Sequence, residues 1–164
     1  MDRKCSCGVR GFLKLLAFII ICQLAGIIGG LATTTSVNTW YQQINKPSFT
    51  PPDWIFGPVW ITLYALMGMA VYLVWRQRVS NPKAKTALVL FFSQLALNAL
   101  WSILFFGFRS PGLAFIEILA LWAFVLFTTI YFFRISLAAS GLMLPYILWS
   151  SFAVALNFEI WRLN

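Results

Sequence analysis

Histidine is absent from this chain of 164 residues. With it go the usual general base, the commonest metal ligand and a globin-type haem ligand. Acid is also scarce: Asp and Glu total four, and only 10% of residues are charged. Cysteine occurs three times, as Cys5, Cys7 and Cys22. Cys5-Ser6-Cys7 has no second ligand pair to complete a metal site, so it reads as two free thiols on a tail. A soluble globular domain is about 25% charged and about 45–50% apolar. This chain is 61% hydrophobic with a mean hydropathy of +0.84. These shortages exclude a water-soluble enzyme domain, and no hydrolytic, acid–base or metal-dependent constellation is visible.

What fills the sequence instead is five long apolar runs, at about residues 12–34, 54–75, 86–108, 113–133 and 142–161. Crossing a bilayer takes about 20 apolar residues per helix. The expected fold is therefore an all-α membrane protein, a bundle of five transmembrane helices forming a single domain over residues 1–164, with no room for a separate soluble domain. Pro and Gly punctuate the joins at Asn81-Pro82, Ser110-Pro111-Gly112 and Ser140-Gly141. The short connections make consecutive helices antiparallel neighbours. The exception is the long, polar, proline-bearing stretch at about 36–53. The first run, from Leu15 to Ala32, exceeds the about 7–15 residues of a signal-peptide core and is retained as a helix.

The chain carries a net charge of +8, and its basic residues lie almost entirely between the apolar runs. They read as topology signals rather than as a nucleic-acid footprint. Arg3, Lys4, Arg10, Lys14, Arg76, Arg78, Lys83, Lys85 and Arg134 fall on one side, against Lys46, Arg109 and Arg162 on the other. The positive-inside rule places the N-terminus in the cytoplasm of a bacterial cell, with the long first loop outside; a mitochondrial outer membrane is the alternative.

Trp40, Trp54, Trp75 and Trp161 sit at span ends as interfacial anchors. Trp60, Trp101, Trp122 and Trp149 lie deeper, where an indole N–H needs a partner, so some of them face the bundle interior. The third run carries a polar stripe, Gln94–Asn98–Ser102, at i, i+4 spacing. It reads either as interhelical hydrogen bonding or as the lining of a cavity. Glu117, in the fourth run, has no basic neighbour on its own helix; an intramembrane acid is a functional candidate, or a bond to a neighbouring helix end. Glu159 can pair with Arg162. Asp53 suits a helix N-terminus. Cys22, Gly26 and Gly30 form a small-residue ridge that permits close helix approach, within the bundle or in a dimer.

The segment Trp40-Tyr41-Gln42-Gln43-Ile44-Asn45-Lys46-Pro47-Ser48-Phe49-Thr50-Pro51-Pro52-Asp53-Trp54, followed by Gly57-Pro58-Val59-Trp60, resembles the signature of the TspO/MBR family. That family comprises tryptophan-rich sensory proteins and translocator proteins, the latter also called peripheral-type benzodiazepine receptors. Further agreement lies in Thr62-Leu63-Tyr64, in Gln94 to Asn98 with Phe105-Phe106-Gly107, and in Leu144-Pro145-Tyr146 through Leu156-Asn157 to Trp161-Arg162. The resemblance implies five helices around a ligand pocket, with the first loop as a lid. It implies a membrane receptor or sensor that binds tetrapyrroles such as protoporphyrin IX, and possible transport of the bound molecule. Sterols and synthetic isoquinoline carboxamide or benzodiazepine ligands are further implied partners, as is a homodimer. No cofactor is implied, since protoporphyrin IX is ligand or substrate. The pocket positions carried over are Tyr41, Trp60, Tyr64, Asn98, Trp101, Ser102, Trp149 and Ala153. An alternative, light-dependent oxidative degradation of protoporphyrin, would make Trp60 and Trp149 catalytic. Phe158 departs from the Tyr of sterol-recognising relatives, which puts a cholesterol role in doubt.

Overall fold

The computed structural model describes residues 3–164, with side chains from Val9 onward. Cys5 and Cys7, with Arg3 and Lys4, lie outside the residues whose side chains are described. The helices are α1 (Arg3–Thr34), α2 (Trp40–Gln43), α3 (Asp53–Arg76), α4 (Lys83–Ser102), α5 (Pro111–Phe133) and α6 (Leu137–Leu163). A π-helical turn, Ile103–Gly107, extends α4. Five segments are long and apolar enough to cross a bilayer: Val9–Thr34, Asp53–Arg76, Lys83–Gly107, Pro111–Phe133 and Leu137–Leu163. At about 1.5 Å per residue, each exceeds the about 30 Å of hydrocarbon. The helix is forced on these runs because lipid offers backbone groups no other partner.

Helix ends follow the polar residues. Pro111 occupies the first turn of α5, where its missing N–H costs nothing. The Asn81 side chain accepts from the Lys83 N–H at 3.0 Å, at the start of α4. One expected join is corrected. Ser140-Gly141 does not interrupt the chain; α6 begins earlier, at Leu137, with Ser136 as its cap accepting from the Ala139 N–H at 3.3 Å. Ser136 already supplies the capping oxygen. Ser140, left inside the helix, donates instead to the Thr129 carbonyl of α5 at 3.3 Å.

The five long helices close a ring in the order α1, α3, α6, α5, α4. α1 is the most peripheral, and Phe12, Leu16, Ile20, Leu24, Ile28 and Leu31 stay on its outer face, as a lipid-facing surface requires. In the half of the bundle away from the α1–α3 loop, Met67, Val71, Val74, Phe91, Phe132 and Met143 pack a closed core. Phe91 stacks on Phe132 at 5.9 Å between ring centres. Small residues let backbones approach there: a Cβ on Gly68 of α3 would fall 2.6 Å from the Ile19 Cα of α1. The Cys22–Gly26–Gly30 ridge divides. Cys22 and Gly26 face inward, Gly26 flat against the Tyr64 ring, whereas a Cβ on Gly30 would meet no atom within 4 Å.

Candidate functional site

The other half of the bundle is hollow. A cavity of about 460 Å³ lies between α1, α3, α4 and α6, beneath the loop that carries α2. That volume falls within the about 300–1,000 Å³ of small-molecule sites. Every pocket position singled out from sequence lies on its wall: Tyr41, Trp60, Tyr64, Asn98, Trp101, Ser102, Trp149 and Ala153.

The aromatic wall is built in layers. Trp60 lies one turn before Tyr64 on α3, so the two rings stack at 5.5 Å and 30°. Trp60 also meets Tyr146 of α6 edge-on at 6.3 Å. Trp149 is set edge-on against Phe56 at 5.9 Å. Trp101 stacks on Phe105 at 5.2 Å, across the junction of α4 with its π-turn. Its indole N–H donates to the Asn157 side chain at 2.9 Å, and Asn157 in turn donates to the Pro111 carbonyl at 2.8 Å. Trp101 is thus fixed by a bridge from α6 to the start of α5. Among the described residues, the Trp60 and Trp149 indole N–H groups have no protein acceptor. Both residues line the cavity.

The floor is polar but closed on itself. The Tyr64 hydroxyl donates to the Asn98 Oδ1, and the Asn98 Nδ2 donates to the Tyr146 hydroxyl at 2.7 Å. Asn98 therefore ties α3, α4 and α6 together while presenting an edge to the cavity. Both readings of the polar stripe apply to it. Ser102 lines the cavity as well, but Gln94 does not; it lies one turn deeper, fully buried, with neither amide atom hydrogen-bonded among the described residues.

The lid is latched at several points. The Asn45 N–H donates to the Asn164 Oδ1 at 2.9 Å, the Asn164 Nδ2 returns to the Asn45 carbonyl at 3.0 Å, and the Asn45 Nδ2 reaches the Leu163 carbonyl at 3.2 Å. Phe49 meets Phe152 of α6 edge-on at 6.2 Å. Arg109, whose φ of 51° is rarely adopted by a residue with a side chain, donates to the Ser36 hydroxyl at 3.2 Å. Tyr41 is buried against Phe105 and Phe106, with the Lys46 ammonium 4.0 Å above its ring centre. Burial first, and the Asp53 carboxylate second, push the Tyr41 phenol up to about 12.

Several sequence candidates lie elsewhere. Trp122 donates to the Ser151 hydroxyl at 2.8 Å, a packing bond between α5 and α6. Glu117 is buried on α5 outside the cavity, with neither carboxylate oxygen hydrogen-bonded among the described residues; no helix end meets it. Glu159 pairs with Arg162 at 2.7 Å. Phe158 packs on Phe115 and Trp161, away from the cavity. Conversely, sequence reasoning did not single out Phe56, Phe152 or the Asn45–Asn164 latch, and it named Phe105 only as part of a recognised block. Asn157 stood within a recognised block, but its role as the Trp101 acceptor carried no local signal.

Residues 18–162 match the profile of the TspO/MBR family. The chain is 46% identical over 152 residues to the tryptophan-rich protein TspO of Archaeoglobus fulgidus, covering 93% of this chain and 97% of that one. It is 41% identical over 126 residues to the human translocator protein, covering 76% and 75% respectively. It is 36% identical over 149 residues to the tryptophan-rich sensory protein of Cereibacter sphaeroides, covering 91% and 90%.

Proposed function

The chain belongs to the TspO/MBR family of multi-pass membrane proteins, and on that premise we propose that it is a membrane receptor for a flat, conjugated, apolar ligand of the tetrapyrrole class, with protoporphyrin IX as the leading ligand. The observation that carries this reading is the pair Trp60 and Trp149. Both stand on the wall of the 460 Å³ cavity with indole N–H groups unengaged by protein. A planar macrocycle offers faces to the indole rings and acceptors to their N–H groups. Tyr64, Asn98 and Ser102 add a fixed polar edge. An iron-free porphyrin needs no axial ligand, so a chain without histidine suits it.

Titration of the purified protein with protoporphyrin IX in the dark, followed by tryptophan fluorescence, tests this. Saturable quenching that weakens in Trp60→Phe and Trp149→Phe supports the receptor; no quenching overturns it. A second reading is favoured by the Trp60–Tyr64 stack. In light the porphyrin is the electron donor and dioxygen the terminal oxidant, and Trp60, stacked on Tyr64, is positioned to relay the electrons, oxidised and re-reduced in turn. Illumination of the loaded protein separates the two readings. Porphyrin absorbance lost in the wild type but retained in both Phe variants marks degradation; unchanged absorbance marks binding alone.

A further inference from the structure

α1 and α3 run antiparallel, but the seam between them is not uniform. Far from the lid the two backbones touch at Gly68 and Ile19, and a Cβ on Gly11 would fall 3.3 Å from the Tyr72 hydroxyl. Midway, the Gln23 side chain of α1 donates to the Ile61 carbonyl of α3 at 2.9 Å. The last close approach on the lid side is Gly26 of α1 against the Tyr64 ring of α3. A Cβ on Gly30 of α1 or on Gly57 of α3 would meet nothing within 4 Å, yet both glycines line the cavity. Ile27 and Ile61 line it too, although they are 56% and 62% exposed on the outside of the bundle. Residues that belong both to a cavity wall and to the outer surface mark an opening.

This slot is apolar and lies about one turn inside the lid-side ends of two spanning helices, so lipid chains face it. The route under the lid, by contrast, is closed by the Asn45–Asn164 pair, the Phe49–Phe152 contact and the Arg109–Ser36 bond. We propose that the gap framed by Gly30, Gly57, Ile27 and Ile61 is a lateral portal through which the cavity's ligand passes to and from the hydrocarbon of the bilayer. The proposal rests on the receptor reading for the nature of that ligand. A compound that partitions into lipid reaches the slot without crossing the lid, and glycine at both edges leaves the width a ring system needs.

The test uses the full chain in phosphatidylcholine vesicles with protoporphyrin IX as probe. In Gly30→Leu/Gly57→Leu, side chains fill the slot. Association and dissociation rates, read by stopped-flow tryptophan quenching, are expected to fall at least about tenfold, because a plugged route slows passage in both directions. The equilibrium constant should move less than about threefold. Gly30→Ala/Gly57→Ala controls for the folding of the substituted helices. Locking the lid as an Asn45→Cys/Asn164→Cys disulfide, with the three native cysteines replaced, should leave both rates within about twofold. Rates unaffected by the plug but slowed by the lid lock overturn the portal. A second readout needs no porphyrin: phosphatidylcholine with brominated acyl chains should quench less tryptophan emission in the plugged protein than in the wild type. If protoporphyrin never quenches the wild type, the receptor reading fails, and the bromolipid comparison alone decides the portal. Equal bromolipid quenching in the two proteins overturns it.

Discussion

The lid half of the bundle and the half away from it are made by the same helices, yet one is hollow and the other closed. In the closed half small residues alternate with large ones: Ala70, Ala84, Ala87 and Ala139 leave room into which Phe91, Phe132, Met67 and Met143 insert. In membranes, where lipid is as apolar as the interior, this close packing is the main source of helix association. The lid half has few such pairs. Its rings instead brace one another along the walls, Trp101 on Phe105 and Trp60 on Tyr64, and its helices are tied by specific bonds through Asn98 and Asn157. Close packing and the cavity thereby fall at separate ends of the same helices. Substitutions in the closed half should cost stability with little specific effect on binding, and those in the hollow half the reverse.

The largest expected effect tests the closed half. Phe91→Ala removes a fully buried ring and its stack with Phe132, leaving a void that neighbouring helices cannot fill. A loss of about 3–5 kcal/mol is typical of such truncations. Thermal unfolding in detergent should show it as a marked drop in Tm, with porphyrin affinity unchanged wherever the protein remains folded. A Tm close to wild type would mean that the closed half is not where stability resides.

Asn98→Leu probes the boundary between the halves. The substitution leaves the buried Tyr146 hydroxyl without its donor and Tyr64 without its acceptor. An orphaned buried polar group costs about 1–3 kcal/mol. Because Asn98 serves both halves, Tm and affinity should fall together, and a change in one alone would place it in a single half. Trp149→Phe should do the opposite of Phe91→Ala. It retains a ring against Phe56 but deletes the unengaged N–H, so Tm should hold while affinity for protoporphyrin falls about tenfold, or about 1.4 kcal/mol.

How this division showed in the sequence is instructive. The spans were plain because hydrocarbon leaves a long apolar run no alternative to helix. The start of α6 was not, because Ser140-Gly141 has the composition of a turn, while the cap at Ser136 and the Ser140–Thr129 bond depend on a neighbouring helix. On α4, i, i+4 spacing put Gln94 with Asn98 and Ser102. Depth then separated them, since Gln94 falls below the cavity floor. The cavity positions were legible through a family signature. Composition alone supplied only aromatic residues at suitable depth. The Asn45–Asn164 latch joins residues 119 apart in sequence and has no periodicity to betray it.

The smallest effect concerns the lid itself, and it appears only in alkali. Tyr41 is held at about 12 when the lid is down, by burial and by the Asp53 carboxylate, against 10.0 for an unperturbed phenol. With the lid raised the phenol regains water and its ordinary value. Below about pH 10 both states keep the proton, so the closed lid retains its full stability. As pH rises through the window between about 10 and 12, the raised lid loses the proton first and is favoured. At about pH 10.5 linkage across that window gives a roughly fourfold increase in the open fraction. Spin labels at Gln43 and Arg162 would report it as a growing long-distance population. Lys46, 4.0 Å from the ring, is the cation that faces the phenol; Lys46→Arg keeps a charge there throughout the range and should leave the opening in place. In Tyr41→Phe the increase should vanish, because no proton remains to be released. Opening that persists in the Phe variant would assign the alkaline response to another group and leave Tyr41 as packing for the lid alone.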